Sequence, residues 1–266
     1  MLLSLDNLRG FAIRVEDGAI GQVDQFYFDD EKWAVRYLVV STGHWLSGRQ
    51  VLISPISIEQ VDCTTNQIFL NLTMREVKES PDIDTHKPVS RQHESTFLGY
   101  YGYPYYWGGP DLWGAAAYPV ALAVPKASAI EIAAASAAKA REGSQDSHLR
   151  STKEVKGYHL VAIDGEIGHV DDFIVEDESW ALRYLVVDTH NWWPGKKVLL
   201  SPQWIECVSW PESKVRVHMF KEAIKRSPEY SEAALITREY EDALYLHYGQ
   251  RGYWDEELPG KGEYYG

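Results

Sequence analysis

Trp33-Ala34-Val35-Arg36-Tyr37-Leu38-Val39-Val40 returns 147 residues later as Trp180-Ala181-Leu182-Arg183-Tyr184-Leu185-Val186-Val187. Each octet is dense in Val, Leu, Tyr and Trp, is shorter than an ordinary helix and is followed by turn-forming residues. Together these features read as a buried strand. Working outward at the same offset, Gly10–Pro81 lies over Gly157–Pro228 without a gap, with 30 identities in 72 positions. A unit of that size can close its own core, so the duplication points to two related domains and not to a solenoid of short repeats.

The first copy reads as a run of short strands. Phe11–Val15 leads through Glu16-Asp17-Gly18 into Ile20–Phe28, a hairpin whose Asp-Gly turn suits positive φ. Gly21 removes a Cβ where the second strand bends or two backbones approach closely. The acidic stretch Asp29-Asp30-Glu31 before the octet reads as a solvated turn, because the distal bidentate Glu of a calcium loop is missing. Beyond the octet come a loop at 41–48, strands at 51–55, 58–62 and 67–72, and one or two helical turns at 74–81 ended before proline. Strands this short with tight turns favour a small barrel, in which closure removes exposed edges.

Three motifs, each present in both copies, carry a family resemblance. They are Asp-Gly-x-Ile-Gly at 17–21 and 164–168, Arg-Tyr-Leu-Val-Val at 36–40 and 183–187, and Ser-Pro at 54–55 and 201–202. In this order the chain resembles the PRC-barrel family, known from the cytoplasmic part of the photosynthetic reaction-centre H subunit and from a ribosome maturation factor. The resemblance implies a mainly β protein with two small PRC-type β-barrels in tandem, and it leaves the connector and the C-terminal amphipathic helix outside. It also implies a non-enzymatic barrel that contacts other proteins or its own copies, and carries over no catalytic residue. The alternative it suggests is an accessory subunit of a membrane-bound photosynthetic or electron-transfer complex. A small-ligand receptor or enzyme ranks below both.

On this reading the domains are 1–81, a linker at 82–156, 157–228, and a helix with an acidic tail at 229–266. The linker holds nine aromatics between Phe97 and Tyr118, where no regular element fits, and an alanine-rich stretch from Ala127 to Glu142 with little expected order. The second copy is the more aromatic, with Trp192-Trp193 in the loop after its octet and Trp204 and Trp210 in place of Ser57 and Cys63. Trp45 and Trp192 occupy equivalent positions, and adjacent tryptophans in an extended loop cannot both point inward, so Trp45, Trp192 and Trp193 are candidate contact residues. Ser231 opens a predicted helix whose stripe of Ile236, Tyr240, Ala243, Leu244 and His247 should lie on a barrel or on another chain, with Gly249 as its stop. Ile236, Tyr240 and Leu244 complete the candidate interface.

Composition narrows the function. A net charge of −13 without a Lys/Arg cluster argues against a nucleic-acid footprint and against docking on anionic lipid. No apolar run approaches the roughly 20 residues of a spanning helix, so no direct membrane insertion is expected. Cys63 and Cys207 are not equivalent under the repeat, which encodes neither a duplicated disulfide nor a thiolate metal site. A reduced cytoplasm is the simplest location, with any membrane association made through a protein partner. Arg36 and Arg183 read as cross-strand partners of acidic side chains, and Asp24 and Asp171 as turn or surface groups. No nucleophile elbow, phosphate loop or dinucleotide fingerprint is present, and neither cofactor nor metal is expected. The expected partners are an unidentified protein and either a second copy of the chain, in a homodimer, or the other barrel within the chain.

Overall fold

The octet forms its strand only after its tryptophan, starting at Ala34 in the first copy and at Leu182 in the second. The computed structural model describes residues 1–46, 48–82, 89–107, 109–120, 148–189 and 195–256. The elements in chain order are β1 (Leu2–Ser4), α1 (Leu5–Leu8), β2 (Ala12–Val15), β3 (Gly18–Asp29), β4 (Ala34–Ser41), β5 (Gln50–Ile53), β6 (Ile58–Asp62), β7 (Gln67–Leu70), α2 (Met74–Glu79) and α3 (Arg91–Tyr101). The second series is β8 (Leu149–Ser151), α4 (Thr152–Val155), β9 (His159–Ala162), β10 (Gly165–Glu176), β11 (Leu182–Asp188), β12 (Lys197–Leu200), β13 (Ile205–Ser209), β14 (Lys214–Val217), α5 (Lys221–Arg226), α6 (Arg238–Tyr248) and α7 (Tyr253–Glu256). The chain is mainly β, with two seven-stranded sheets.

Strand order is the same in both copies: β5-β4-β3-β2-β7-β6 in the first sheet and β12-β11-β10-β9-β14-β13 in the second. β2 pairs with β7 in parallel, as β9 does with β14, and the other registered pairs are antiparallel. The Gly21 expectation holds in both copies. Its φ is 150°, and a Cβ there would lie 2.1 Å from the Ser41 carbonyl oxygen, while one on Gly168 would lie 2.2 Å from that of Asp188. Glycine is required because the long strand crosses its neighbour's backbone at that point.

The chain forms two compact units, Met1–Lys156 with Asp172–Arg183, and Gly157–Asp171 with Tyr184–Gly266. The first unit thus contains the whole first sheet and the far end of β10 with the turn that follows. Within it each copy hands its opening strand to the other. β1 pairs with β10 in the register Leu2↔Glu176, Leu3↔Val175, Ser4↔Ile174, and β8 pairs with β3 as Leu149↔Asp29, Arg150↔Phe28, Ser151↔Tyr27. Each register is the other shifted by the repeat offset.

Between these exchanges, Ala34 bridges Ala181, its own equivalent. Val35 N–H donates to the Trp180 carbonyl at 2.8 Å, and Leu182 N–H to the Trp33 carbonyl at 2.7 Å. Within the first unit these contacts are reciprocal between equivalent residues, the pattern of an isologous contact. Trp33 and Trp180 have φ of 51° and 59°, the left-handed region that bulky residues rarely occupy. They therefore end the turn and do not begin the strand, and their carbonyls are turned toward the opposite copy.

Two expectations need correction. The stretch from Phe97, read as having no regular element, opens with the last five of the eleven residues of α3, which is capped by Ser90 Oγ accepting from His93 N–H and stopped by Gly102 at φ 71°. The C-terminal helix begins at Arg238, seven residues after Ser231, with Thr237 accepting from Tyr240 N–H. Ser231 does not cap it because 231–236 is a turn and irregular chain. Gly249 is the stop, at φ 63°. The alanine-rich stretch 127–142 lies outside the described residues. Among the described residues no helix is long and apolar enough to cross a membrane.

Candidate functional site

The repeat does not end at Pro81. Carried forward at the same offset, residues 82–107 and 229–254 share only six identities in 26 positions: Arg91/Arg238, Glu94/Glu241, Tyr101/Tyr248, Gly102/Gly249, Tyr106/Tyr253 and Trp107/Trp254. α3 and α6 are therefore equivalent helices. Gly102 and Gly249 end them, and three of the other five pairs gather on the fourth, Glu94/Glu241, a buried carboxylate in each unit.

In the first unit that carboxylate is Glu94, 2 % exposed, on the inner face of α3. Its Oε1 accepts from Tyr37 Oη at 3.2 Å and from Tyr106 Oη, and its Oε2 accepts from Arg91 Nη1 at 3.1 Å. Arg91 Nη1 also donates to Tyr106 Oη at 2.7 Å, and its guanidinium lies 4.6 Å from the Trp107 ring centroid. In the second unit Glu241, 3 % exposed, accepts at Oε1 from Tyr184 Oη at 2.6 Å and Tyr253 Oη at 3.0 Å, and pairs at Oε2 with Arg238 at 3.1 Å. Arg238 lies 4.0 Å from the Trp254 ring centroid.

The octet supplies Tyr37 and Tyr184, the helix supplies the Glu and Arg one turn apart, and the chain returns after the glycine stop to deliver Tyr-Trp. Burial raises the Glu94 carboxyl above its ordinary range, against the opposing pull of Arg91 and the two phenols. Burial first, then the adjacent Glu94, pushes the Tyr37 and Tyr106 hydroxyls well above the usual phenol range, and burial, then Tyr245 and Glu241, does the same for Tyr184. Both carboxylate oxygens are occupied by donors and turned away from solvent, an arrangement that ties helix to sheet. A general base would need reach to a substrate proton.

The first unit extends this network. Arg36, 1 % exposed, pairs with Asp29 at 3.2 Å, and its guanidinium lies 4.0 Å from the Tyr106 ring centroid and 4.7 Å from that of Trp113. Asp29 was read as part of a solvated turn. It is buried instead, because its Oδ1 accepts from the Glu31 and Lys32 N–H groups of that turn while Oδ2 takes Arg36. Trp113 Nε1 donates to the Ser179 carbonyl at 2.7 Å, so part of the aromatic stretch after α3 packs on the far end of the second copy's hairpin. Arg183 pairs with Glu176 at 2.7 Å, the cross-strand arrangement foreseen for both arginines.

The two copies fill the same corner in opposite ways. In the first, Ser57 leaves room for Tyr103, which stacks on Tyr101 at 5.2 Å. In the second, Trp204 replaces Ser57 and packs on Tyr248 at 4.8 Å, while the position of Tyr103 becomes Gln250. The extra tryptophan of the second copy is thus core filling.

Trp45 is half-buried in the loop after β4, and Trp192 and Trp193 lie outside the described residues. Ile236 is half-buried ahead of α6, Tyr240 is half-buried with its hydroxyl donating to the Pro228 carbonyl at 3.3 Å, and Leu244 is fully buried. The inner face of α6 is Glu241, Leu244 and Tyr245, whereas Ala243 and His247 of the predicted stripe are exposed. A charged residue at the centre of that face shifted the apparent apolar stripe. Asp24 and Asp171 take Lys153 and Lys197 respectively. Cys63 and Cys207 are exposed and free, and no cluster of three metal-ligating side chains exists among the described residues.

No family model matches the chain, and no curated protein matches it.

Proposed function

We propose that this chain is a duplicated PRC-barrel-type protein, each sheet closing on itself, that serves as a non-enzymatic interaction or scaffold module. The shared strand order, the repeated Gly21-type crossing and the three repeated motifs support the barrel assignment. The interaction reading rests on a difference between the copies. Thr73 caps α2 with a full capping box, and its equivalent Phe220 makes no side-chain cap at α5 and is 59 % exposed. Beside it Ile163 replaces Glu16 and is 48 % exposed, with its N–H donating to the Met219 carbonyl at 2.9 Å. Replacing a cap worth about 1 kcal/mol by a solvated phenylalanine weakens the isolated fold, which is the pattern of a surface selected for contact.

The test uses the full chain as bait in extract from its native cells, with an Ile163→Glu/Phe220→Thr variant that restores the first copy's residues. The reading expects a protein that binds the parent chain, keeps binding once purified, and is lost with the variant. Equal recovery by both baits would remove this surface from the account.

A further inference from the structure

The two strand exchanges of the first unit match at every registered pair but are fastened by different chemistry. Where β8 docks, Ser151 Oγ donates to Gln25 Oε1, and where β1 docks, Ser4 Oγ donates to Asp172 Oδ2. Gln25 and Asp172 are equivalent, so a neutral amide in one clasp is a carboxyl in the other. Asp172 is 8 % exposed, and two of the groups that donate to it, Ser4 Oγ and the Asp6 N–H, belong to the N-terminal segment itself.

We propose that Asp172 makes docking of the N-terminal strand pH-sensitive, a clasp that tightens on acidification and loosens toward neutrality, while Gln25 leaves its counterpart without this response.

The groups facing Asp172 are few. From β1 there is the Ser4 hydroxyl. From α1 the Asp6 N–H donates to Asp172 Oδ1 at 3.1 Å, and the Asp6 carboxylate stands nearby, held by Arg9 at 3.4 Å and Lys156 at 2.5 Å. On its own strand the Phe173 N–H also reaches the carboxylate. At the outer end of β1 the Met1 ammonium pairs with Asp177, a contact every Asp172 variant retains.

Burial lifts the Asp172 carboxyl from 3.8 to about 6, helped by Asp6 and opposed by the hydrogen bonds. Release of β1 returns the carboxyl to water and to its ordinary value. The docked state therefore holds the proton more tightly, so docking is strongest below the ordinary value and weakens as pH rises toward the raised one. With those two values the opening equilibrium increases about tenfold between about pH 5 and pH 7.5.

Amide hydrogen exchange of β1 in the full chain, corrected for intrinsic exchange, reads this directly. Protection in the parent should fall about tenfold over that range, and in Asp172→Asn and Asp172→Gln it should be nearly flat. A flat parent profile, or an unchanged slope in both variants, overturns the proposal. Should both variants misfold, carboxyl NMR titration of the parent decides: an Asp172 midpoint near 6 supports the clasp, and one near 3.8 overturns it.

Discussion

Replacing Glu94 by alanine should release α3 from the first sheet. The substitution leaves two buried phenols without their acceptor and an arginine without its counter-ion, Tyr37 being 1 % exposed and Tyr106 3 %. An unsatisfied buried donor costs about 1–3 kcal/mol, and breaking a buried charge pair from one side about 3–5 kcal/mol. Arg91 recovers part of this because its side chain is 18 % exposed and can turn outward, and Tyr106 still accepts from it. The expected loss is therefore about 3–5 kcal/mol for Glu94→Ala. Glu94→Gln should lose only about 1–2 kcal/mol, since the amide oxygen still accepts from the phenols while its NH₂ opposes Arg91.

Equilibrium urea unfolding with near-UV circular dichroism measures both, with Glu241→Gln as the matching change in the second unit. There is also a sign to check. Burial raises the Glu94 carboxyl, so the folded state binds its proton more tightly than the unfolded one, and this group's contribution to stability declines as pH rises through the raised value. Glu94→Gln removes that slope. A cost below about 0.5 kcal/mol for Glu94→Ala, the level of an ordinary surface change, would refute the clamp.

Two further outcomes follow from the geometry. Gly168→Ala should destabilise the second unit by more than the gain of about 0.4–1 kcal/mol that Gly→Ala brings at a compatible site, because the new Cβ meets the Asp188 carbonyl and φ is 159°; thermal unfolding that shows stabilisation would contradict the close crossing. Phe220→Thr should stabilise α5 by about 0.5–1 kcal/mol, read by the same unfolding assay, since it restores the cap that Thr73 provides in the first copy.

How much of this could be read from the chain depends on the residue. The octet, the Asp-Gly hairpin, the crossing glycine and the Arg–acid pairs are visible because strand alternation and turn chemistry are local. The equivalence of α3 and α6 was equally available in the constant offset, where Arg, Glu, Tyr-Gly and Tyr-Trp recur in order past Pro81. It was obscured because 20 of the 26 positions differ, and because a helix whose buried face centres on glutamate does not give an apolar period. β1 and β8 are three residues each, too short for any pattern, and their pairing depends wholly on the opposite copy. The left-handed Trp33 and Trp180 could not be foreseen from propensity, which opposes that conformation for tryptophan.

The pairing of equivalent residues inside the first unit rests on the Ala34–Ala181 bridge. The flanking bonds to the Trp180 and Trp33 carbonyls make it a non-hydrogen-bonded antiparallel pair, in which Cα atoms approach to about 4.5 Å, within disulfide range. Cysteines at both positions, with Cys63 and Cys207 changed to serine, should close a disulfide within a single chain under mild oxidation, seen as loss of both free thiols without a change in mass on a denaturing sizing column. Thiols that stay free in the folded protein, or that link only chain to chain, would contradict it.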